Sequence, residues 1–292
     1  MEMTREEQLL CARAVELAGG AAYTTTTTAF LTPRERLLVH DALIQAGFAD
    51  GCFFWGGCRG CERTMAIFPA SYWRIEDWFA EAPPVVKGGF AGAMDEARED
   101  YFVRMLTDIP GLAEEIPLTS LQITGSGFAA LTHRDFMGAI LALGIERAVL
   151  GEIVVTSTNA DETGALIFTT PEMASYLSEN LTKIGRDAVT VRPCHIDPTI
   201  EVPRQYENLS VTAASPRIDG VVRALTNLSR EDAAAMVRAG LVERNYEPIE
   251  DVDKQLHAGD VLTIRGYGKY RIDRTDEETK RGRKRILCRK YK

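Results

Sequence analysis

Apolar positions along the chain change their period twice, and each change marks a new region. Residues 1–22 read as a helix, with only a weak apolar face offered by Ala12, Val15, Glu16 and Ala18. The run Thr24–Thr28 is low in complexity and reads as a linker or an edge strand. Thr32-Pro33-Arg34-Glu35 is a helix start: threonine caps, Pro33 fits the first helical position, and Glu35 reaches back to the cap. That helix runs to about Gln45 and stops near Gly47. Two apolar runs, Cys52–Trp55 and Thr64–Phe68, then flank a glycine-rich turn, the pattern of a hairpin.

Between residues 81 and 117 the pattern loosens. Pro83-Pro84 and Gly88-Gly89 precede a helical stretch around Ala93–Met105, so 86–117 reads as a linker or helical insertion after an N-terminal domain at 1–85. Order then returns. Residues 121–126 read as a strand. Thr132-His133-Arg134-Asp135 is a capping box, and Phe136, Ala139, Ile140 and Leu143 recur at helical spacing. Strands follow at 151–157 and 164–170. Thr170-Pro171 opens a second helix with Met173, Tyr176, Leu177 and Leu181 inward, and 187–193 closes with a strand. The order β-α-β-β-α-β predicts a ferredoxin-like or RRM-like domain over 118–200.

A third pattern begins near 211. Ser215-Pro216 starts a short helix with Ile218, Val221, Val222 and Leu225 on one face. Ser229 caps a second, with Asp232 reciprocal, Ala233, Met236 and Val237 inward, and Gly240 as the stop. Short strands and turns follow, from Leu241 through the glycines around Tyr267 to the C-terminus. The fold class is therefore α+β in three parts: a mixed N-terminal domain, the ferredoxin-like middle domain, and a helix pair with small strands over 210–292.

Charge changes this picture most. The chain of 292 residues carries net −8, which by itself argues against a nucleic-acid partner. The average hides a split. From Val211 to Lys292 there are 18 Lys+Arg against 13 Asp+Glu, net +5, leaving net −13 for the rest. From Ile264 onward the balance is 12 to 4. An acidic body with a basic end suits an RNA binder whose footprint is confined to one region. Composition is otherwise that of a folded protein, with 45% hydrophobic and 26% charged residues. No apolar run is long enough to span a membrane, and MEMTREEQLL lacks a secretory pattern. Six cysteines are too few for a disulfide scaffold, which points to a reducing cytoplasm.

At the basic end the spaced residues Arg217-Ile218-Asp219, Leu228-Ser229-Arg230, Ala234, Gly240-Leu241-Val242, Asn245 and Gly259-Asp260 resemble the S-four RNA-binding domain, named after the fourth small-subunit ribosomal protein. Tyr246 departs from that pattern, where glycine often follows the Asn, and a bulky residue there resembles the YlmH branch. Residues 131–153 are similar to the most recognisable segment of the YlmH family. FLTPRE (30–35) with FWGGCRGCER (54–63) resembles its N-terminal domain, and RGYGKYRI (265–272) resembles its tail. The resemblance implies a bacterial, ribosome-associated protein acting in quality control on stalled large subunits that carry peptidyl-tRNA. Its expected partners are ribosomal RNA, transfer RNA, or both, with no DNA and no membrane.

Structured RNA is read mainly through phosphate and 2′-hydroxyl contacts, which need cations on a rigid surface. Arg217 and Arg223 avoid the apolar stripe of the first helix. Arg230 sits in the first turn of the second, and Ser229 either caps that helix or offers its hydroxyl to phosphate. Arg244, Asn245, Arg265 and Lys269 follow as candidates. The basic run Lys280, Arg281, Arg283, Lys284 and Arg285 is either a phosphate-binding arm or a solubilising hairpin strand. In the middle domain His133 and Arg134 could meet phosphate from a helix start or serve as plain surface, while isolated Phe128 and Phe168 read as core.

Other chemistries lack signatures. Cys58-x-x-Cys61 with Cys52 is one ligand short of a structural zinc site, so no metal is expected. No phosphate-cradling glycine loop, paired-His motif or nucleophile elbow occurs, and no cofactor is expected. The expectation is a non-catalytic RNA binder. The alternatives are an RNA-modifying or tRNA-acting enzyme that uses the S-four domain for substrate binding, and a protein-binding scaffold.

Overall fold

The computed structural model describes residues 3–74, 83, 93–127, 130–159, 162–195, 197–279 and 282–291. Most of residues 1–203 form one compact unit and residues 204–292 a second. Within the described residues, no helix is long and apolar enough to cross a membrane.

The first unit begins with helix α1 (Arg5–Gly20), strand β1 (Thr26–Thr27) and helix α2 (Pro33–Ala46). Both helices start in capping boxes, from Thr4 with Glu7 and from Thr32 with Glu35. Helix α2 stops at Gly47, whose positive φ of 79° closes the last turn without a Cβ penalty. The buried face of α1 is Cys11 and Ala14 with Val15 and Ala18 beside them, whereas Ala12 is exposed. Strands β2 (Phe53–Trp55) and β3 (Met65–Phe68) form the expected hairpin, and β1 pairs with β3 to complete a three-stranded sheet.

The stretch read as linker or insertion holds helix α3 (Ala93–Asp108) and a short helix α4 (Leu112–Glu115). Phe102, Met105, Ile109 and Leu112 are fully buried and share a core with Phe53 and Trp55. Phe53 and Phe102 stack with centroids 4.9 Å apart.

Next come β4 (Thr119–Gly125), α5 (His133–Ala142), β5 (Leu150–Asn159), β6 (Glu162–Thr169), α6 (Pro171–Asn180), β7 (Lys183–Ile184) and β8 (Asp187–Cys194). The sheet runs β5-β6-β4-β8-β7 and is antiparallel throughout. Its four main strands stand in the order second, third, first, fourth, as a split β-α-β-β-α-β arrangement requires. Alternation along β6 assigns its two faces. Ala165 and Ile167 join the helix-side core with Phe136, Ile140 and Leu177, while Leu166 and Phe168 point the other way. Tyr176 was expected inward on α6. It is 41% exposed, and Ala174 lines the core with Leu177 and Leu181 instead.

Phe168 and Val154, on the face away from α5 and α6, belong to the same core as Phe30, Trp55 and Phe102. The N-terminal elements therefore cover the β5–β6 half of that face. Two glycines permit the approach. A Cβ at Gly57 would lie 2.1 Å from the Phe168 ring, and one at Gly151 would lie 2.6 Å from Phe30. Arg63 pins the contact by donating to the carbonyls of Phe30, Arg147 and Leu150, each at 3.0 Å.

The second unit contains β9 (Tyr206–Ala213), α7 (Ile218–Thr226), α8 (Arg230–Arg238), β10 (Val242–Arg244), β11 (Glu247–Pro248), β12 (Val261–Ile264), β13 (Gly268–Glu278) and β14 (Lys284–Tyr291). These strands form a six-stranded sheet in the order β11-β10-β12-β13-β14-β9. Helices α7 and α8 pack Ile218, Val221, Val222, Ala233 and Val237 against Leu262, Ile264, Tyr270, Ile272 and Ile286. Two expectations need correction. Helix α7 is capped at Arg217, two residues after Ser215, because the Pro216 carbonyl accepts from Leu256 N–H at 2.9 Å and stays outside the helix. The terminal strands are also long: β13 has 11 residues and β14 pairs along its length with β9, which starts before the expected boundary. Charged residues on the outer face of these strands mask their alternation.

Replacing Phe168 by Ala should destabilise the first unit by about 3–5 kcal/mol, because the void opens at the junction of two packed layers. A urea titration followed by Trp fluorescence should show the loss, with Trp55 in the same core as the reporter.

Candidate nucleic-acid interface

The candidate interface is built on the helix side of the second unit. Asp219, in the first turn of α7, is 4% exposed and organises the helix starts. It accepts from Arg217 Nε and Nη2, both at 3.2 Å, and from the N–H of Gly220 at 2.8 Å. Arg230 Nε stands 3.8 Å from the same carboxylate. Arg217 also pairs with Asp253. The hydrogen bonds to Asp219 hold the Arg217 guanidinium above its ordinary pKa. Arg217 is thus tied into the fold. Arg230, 76% exposed, projects into solvent from the first turn of α8. Ser229 acts as cap, accepting from Asp232 N–H at 3.1 Å while its hydroxyl donates to the Asp232 carboxylate. Arg223 is exposed in the last turn of α7, where a cation is favoured by the helix dipole.

A second carboxylate, Asp260, consumes two further candidates. Its Oδ2 accepts from Arg244 Nε at 2.8 Å and His257 N–H at 2.7 Å, and its Oδ1 from Asn245 Nδ2 at 2.9 Å. Asn245 Oδ1 in turn accepts from Val261 N–H. Asn245 and Tyr246 form the two-residue turn between β10 and β11 with φ of 52° and 67°. A turn with positive φ at both central positions usually carries glycine. Here the Asn245–Asp260 bonds hold it without one. Of the two RNA-contact candidates here, Arg244 has its Nε and Asn245 its side-chain amide engaged within the fold, and the Arg244 side chain is 19% exposed.

Arg265 is exposed at the start of the β12–β13 turn. Of the basic run, Lys280 and Arg281 lie outside the described residues. Arg283, Lys284 and Arg285 belong to the β13–β14 hairpin. Arg283 donates to Thr212 O, Lys284 pairs with Glu278 at 2.7 Å, and Arg285 stands 3.9 Å from Glu277. Arg283, Lys284 and Arg285 thus lie at a hairpin end, the last two with acids beside them. Lys269 lies apart from the helix side: it belongs to the opposite face of the sheet, with its ammonium 4.7 Å from the Tyr246 ring centre and 4.8 Å from that of Tyr291.

In the first unit, His133 and Arg134 are exposed in the first turn of α5. Hydrogen bonds from Thr132 hold the Asp135 carboxyl below its ordinary pKa, so an anion already sits at that helix start. Phe168 is core, as expected, and Phe128 lies outside the described residues. The sheet face that RNA-recognition domains use for base stacking is covered across β5 and β6. Gln122 on β4 and Arg192 on β8 remain exposed.

Cys58 and Cys61 come together, with Sγ atoms 3.4 Å apart in the buried core. Cys52 sits in a different cluster, and Cys194 meets Ser120. Among the described residues, no three His, Cys, Asp or Glu side chains gather in a group that could hold a metal ion. Reading the sequence missed Tyr206, Arg289 and Tyr291. The alternations Lys269-x-Arg271 and Arg289-x-Tyr291, taken as strands, would have signalled them.

Residues 114–197 match a family model described as "Putative RNA-binding domain in YlmH". The chain is 25% identical over 271 residues to the ribosome-associated protein quality control protein P2 of Bacillus subtilis, covering 92% of this chain and 89% of that protein. A solved structure, the cell division protein ylmH from Streptococcus pneumoniae, is 18% identical. It covers 67% of this chain and 94% of its own, with a TM-score of 0.42.

Two outcomes follow from the geometry. Asp260→Ala strands the Arg244 guanidinium and the Asn245 amide and should cost about 3–5 kcal/mol, measurable by thermal or urea unfolding. Burial pushes the Cys52 thiol up to about 12 and raises Cys61 well above its ordinary value. Both should therefore resist a maleimide reagent at neutral pH in the folded protein and react once it is unfolded. Mass spectrometry of the labelled peptides would check this.

Proposed function

We propose that this protein is a non-catalytic RNA-binding protein of the YlmH type. It grips structured ribosomal RNA, transfer RNA, or both on the large ribosomal subunit, in the handling of stalled peptidyl-tRNA complexes. The observation that carries the reading is the set of cations left over on the second unit. Asp219 and Asp260 pair with Arg217 and Arg244 internally, while Arg223 and Arg230 are exposed on the rigidly packed α7 and α8 and Arg265 is exposed on the β12–β13 turn. Two apolar-locked helices on a small sheet, with that cation pattern, support an S-four type of domain. The match of residues 114–197 and the likeness to a quality-control protein support the biological setting.

The action proposed is positional. Exposed guanidiniums make bidentate contacts to phosphates without reading sequence, and the rigid helices set where along a folded RNA those phosphates must lie. The first unit, with net −13 outside Val211–Lys292, is repelled by RNA over most of its surface. That repulsion favours contact at the basic end, and on the first unit His133 and Arg134, within the matched residues 114–197, are the secondary point proposed. The setting is the bacterial cytoplasm.

The test is sedimentation of a lysate through a sucrose gradient at low and high salt. The protein should travel with the large subunit at low salt and leave it at high salt, as counterion release requires. An Arg223→Glu/Arg230→Glu variant, with unchanged thermal stability, should stay at the top. Each arginine is expected to contribute about 1–3 kcal/mol to binding. A folded double variant that still co-sediments would overturn the assignment of this surface.

A further inference from the structure

The face of the second sheet opposite α7 and α8 has a composition of its own. Strand alternation sends Tyr270, Ile272, Ile286 and Cys288 to the helices and their neighbours to the other side. Tyr291 stands directly opposite Tyr206 in the register, and Lys269 is one step beyond the Tyr270–Lys290 pair, beside Tyr291. Tyr246 projects toward the same lysine from the β10–β11 turn. The order across the face is thus Tyr246, Lys269, Tyr291, Tyr206. The next row along the strands holds Arg271, Arg289 and Asn208.

Rings and cations contact one another directly. The Lys269 ammonium lies between Tyr246 and Tyr291. The Arg289 guanidinium lies 4.8 Å from the Tyr206 ring centre, Arg204 lies 5.8 Å from that of Tyr291, and Tyr206 meets Tyr291 edge to face at 5.0 Å. Asp273 accepts from Arg289 Nε and Nη2, and the register puts Glu243 on the same face, opposite Thr263. Arg204, Lys269, Arg271 and Arg289 are four formal cations beside those two acids, so these residues sum to a positive charge. Purely structural cations need no row of tyrosines, and a core needs no row of cations.

We propose that this face is a second RNA-binding surface, and that it takes an unpaired RNA strand. Aromatic rings interleaved with cations at strand spacing suit successive bases and the phosphates between them. A duplex hides its base faces within its own stack and could use only the cations. The helix side and this face lie on opposite sides of one sheet, so a folded RNA could be held by its paired part on one and by an emerging single strand on the other. The inference does not depend on the helix-side assignment.

The experiment is fluorescence anisotropy with the full chain and two labelled probes: a uridine oligonucleotide of about ten residues, and a blunt RNA duplex. Wild-type protein should bind the oligonucleotide, and the double variant Tyr206→Ala/Tyr291→Ala should bind it about tenfold or more weakly while its duplex affinity is unchanged. Tyr206→Phe/Tyr291→Phe should bind it as wild type does. If the alanine variant melts early, Lys269→Gln is read in its place, and loss of oligonucleotide affinity is again expected. Arg223→Glu/Arg230→Glu should lose the duplex and keep the oligonucleotide. The proposal fails if wild type does not bind the oligonucleotide, or if the folded tyrosine and lysine variants bind it normally. It also fails if polyglutamate competes as well as the RNA does, which would assign the face to an acidic protein partner.

Discussion

Strand β6 serves two cores at once, and the rest of the first unit depends on that. Ala165 and Ile167 close the layer under α5 and α6, while Leu166 and Phe168 close the layer beneath the N-terminal hairpin and α3. A strand buried on both faces is expensive to expose, which explains why the N-terminal elements and the β-α-β-β-α-β sheet form one compact unit. The glycines at 57 and 151 and the Arg63 bracket exist in the service of that contact. The functional consequence is subtractive. The β5–β6 half of the sheet face that could otherwise display aromatic rings to bases is filled by Phe168 and its neighbours.

In the second unit the governing constraint is electrostatic. Two nearly buried carboxylates, Asp219 and Asp260, each gather several donors and bind an arginine to the scaffold. Buried carboxylates require such partners, since an unpaired one would cost several kcal/mol. The count of 18 Lys and Arg over residues 211–292 therefore overstates the cations offered to a ligand. Arg223, Arg230 and Arg265 stay exposed to solvent.

Much of the local structure was legible in the residues. Capping boxes at Thr32 and Thr132 and the Thr170-Pro171 start placed three helices correctly, because each depends on contacts within four residues. The split β-α-β-β-α-β order could be read from period changes alone. Legibility failed where a contact was distant. Helix α7 starts late because residue 256 claims the Pro216 carbonyl. Strands β13 and β14 were read as short, since lysines and arginines on their outer face interrupt the apolar alternation.

The same divide separates the two kinds of candidate residue. By itself the sequence determined that an acidic chain ends in a basic region, that two capped helices open that region, and that Tyr246 follows Asn245 where a glycine is usual. Those are properties of composition and short spacing. Only the tertiary structure decided which arginines are spoken for, because Arg244 meets Asp260 across 16 residues and Arg217 meets Asp253 across a loop. It alone also brought Tyr206 beside Tyr291, residues from the two ends of the unit, by pairing β9 with β14. Long-range pairing is set by which buried faces fit together, and no local pattern carries that information.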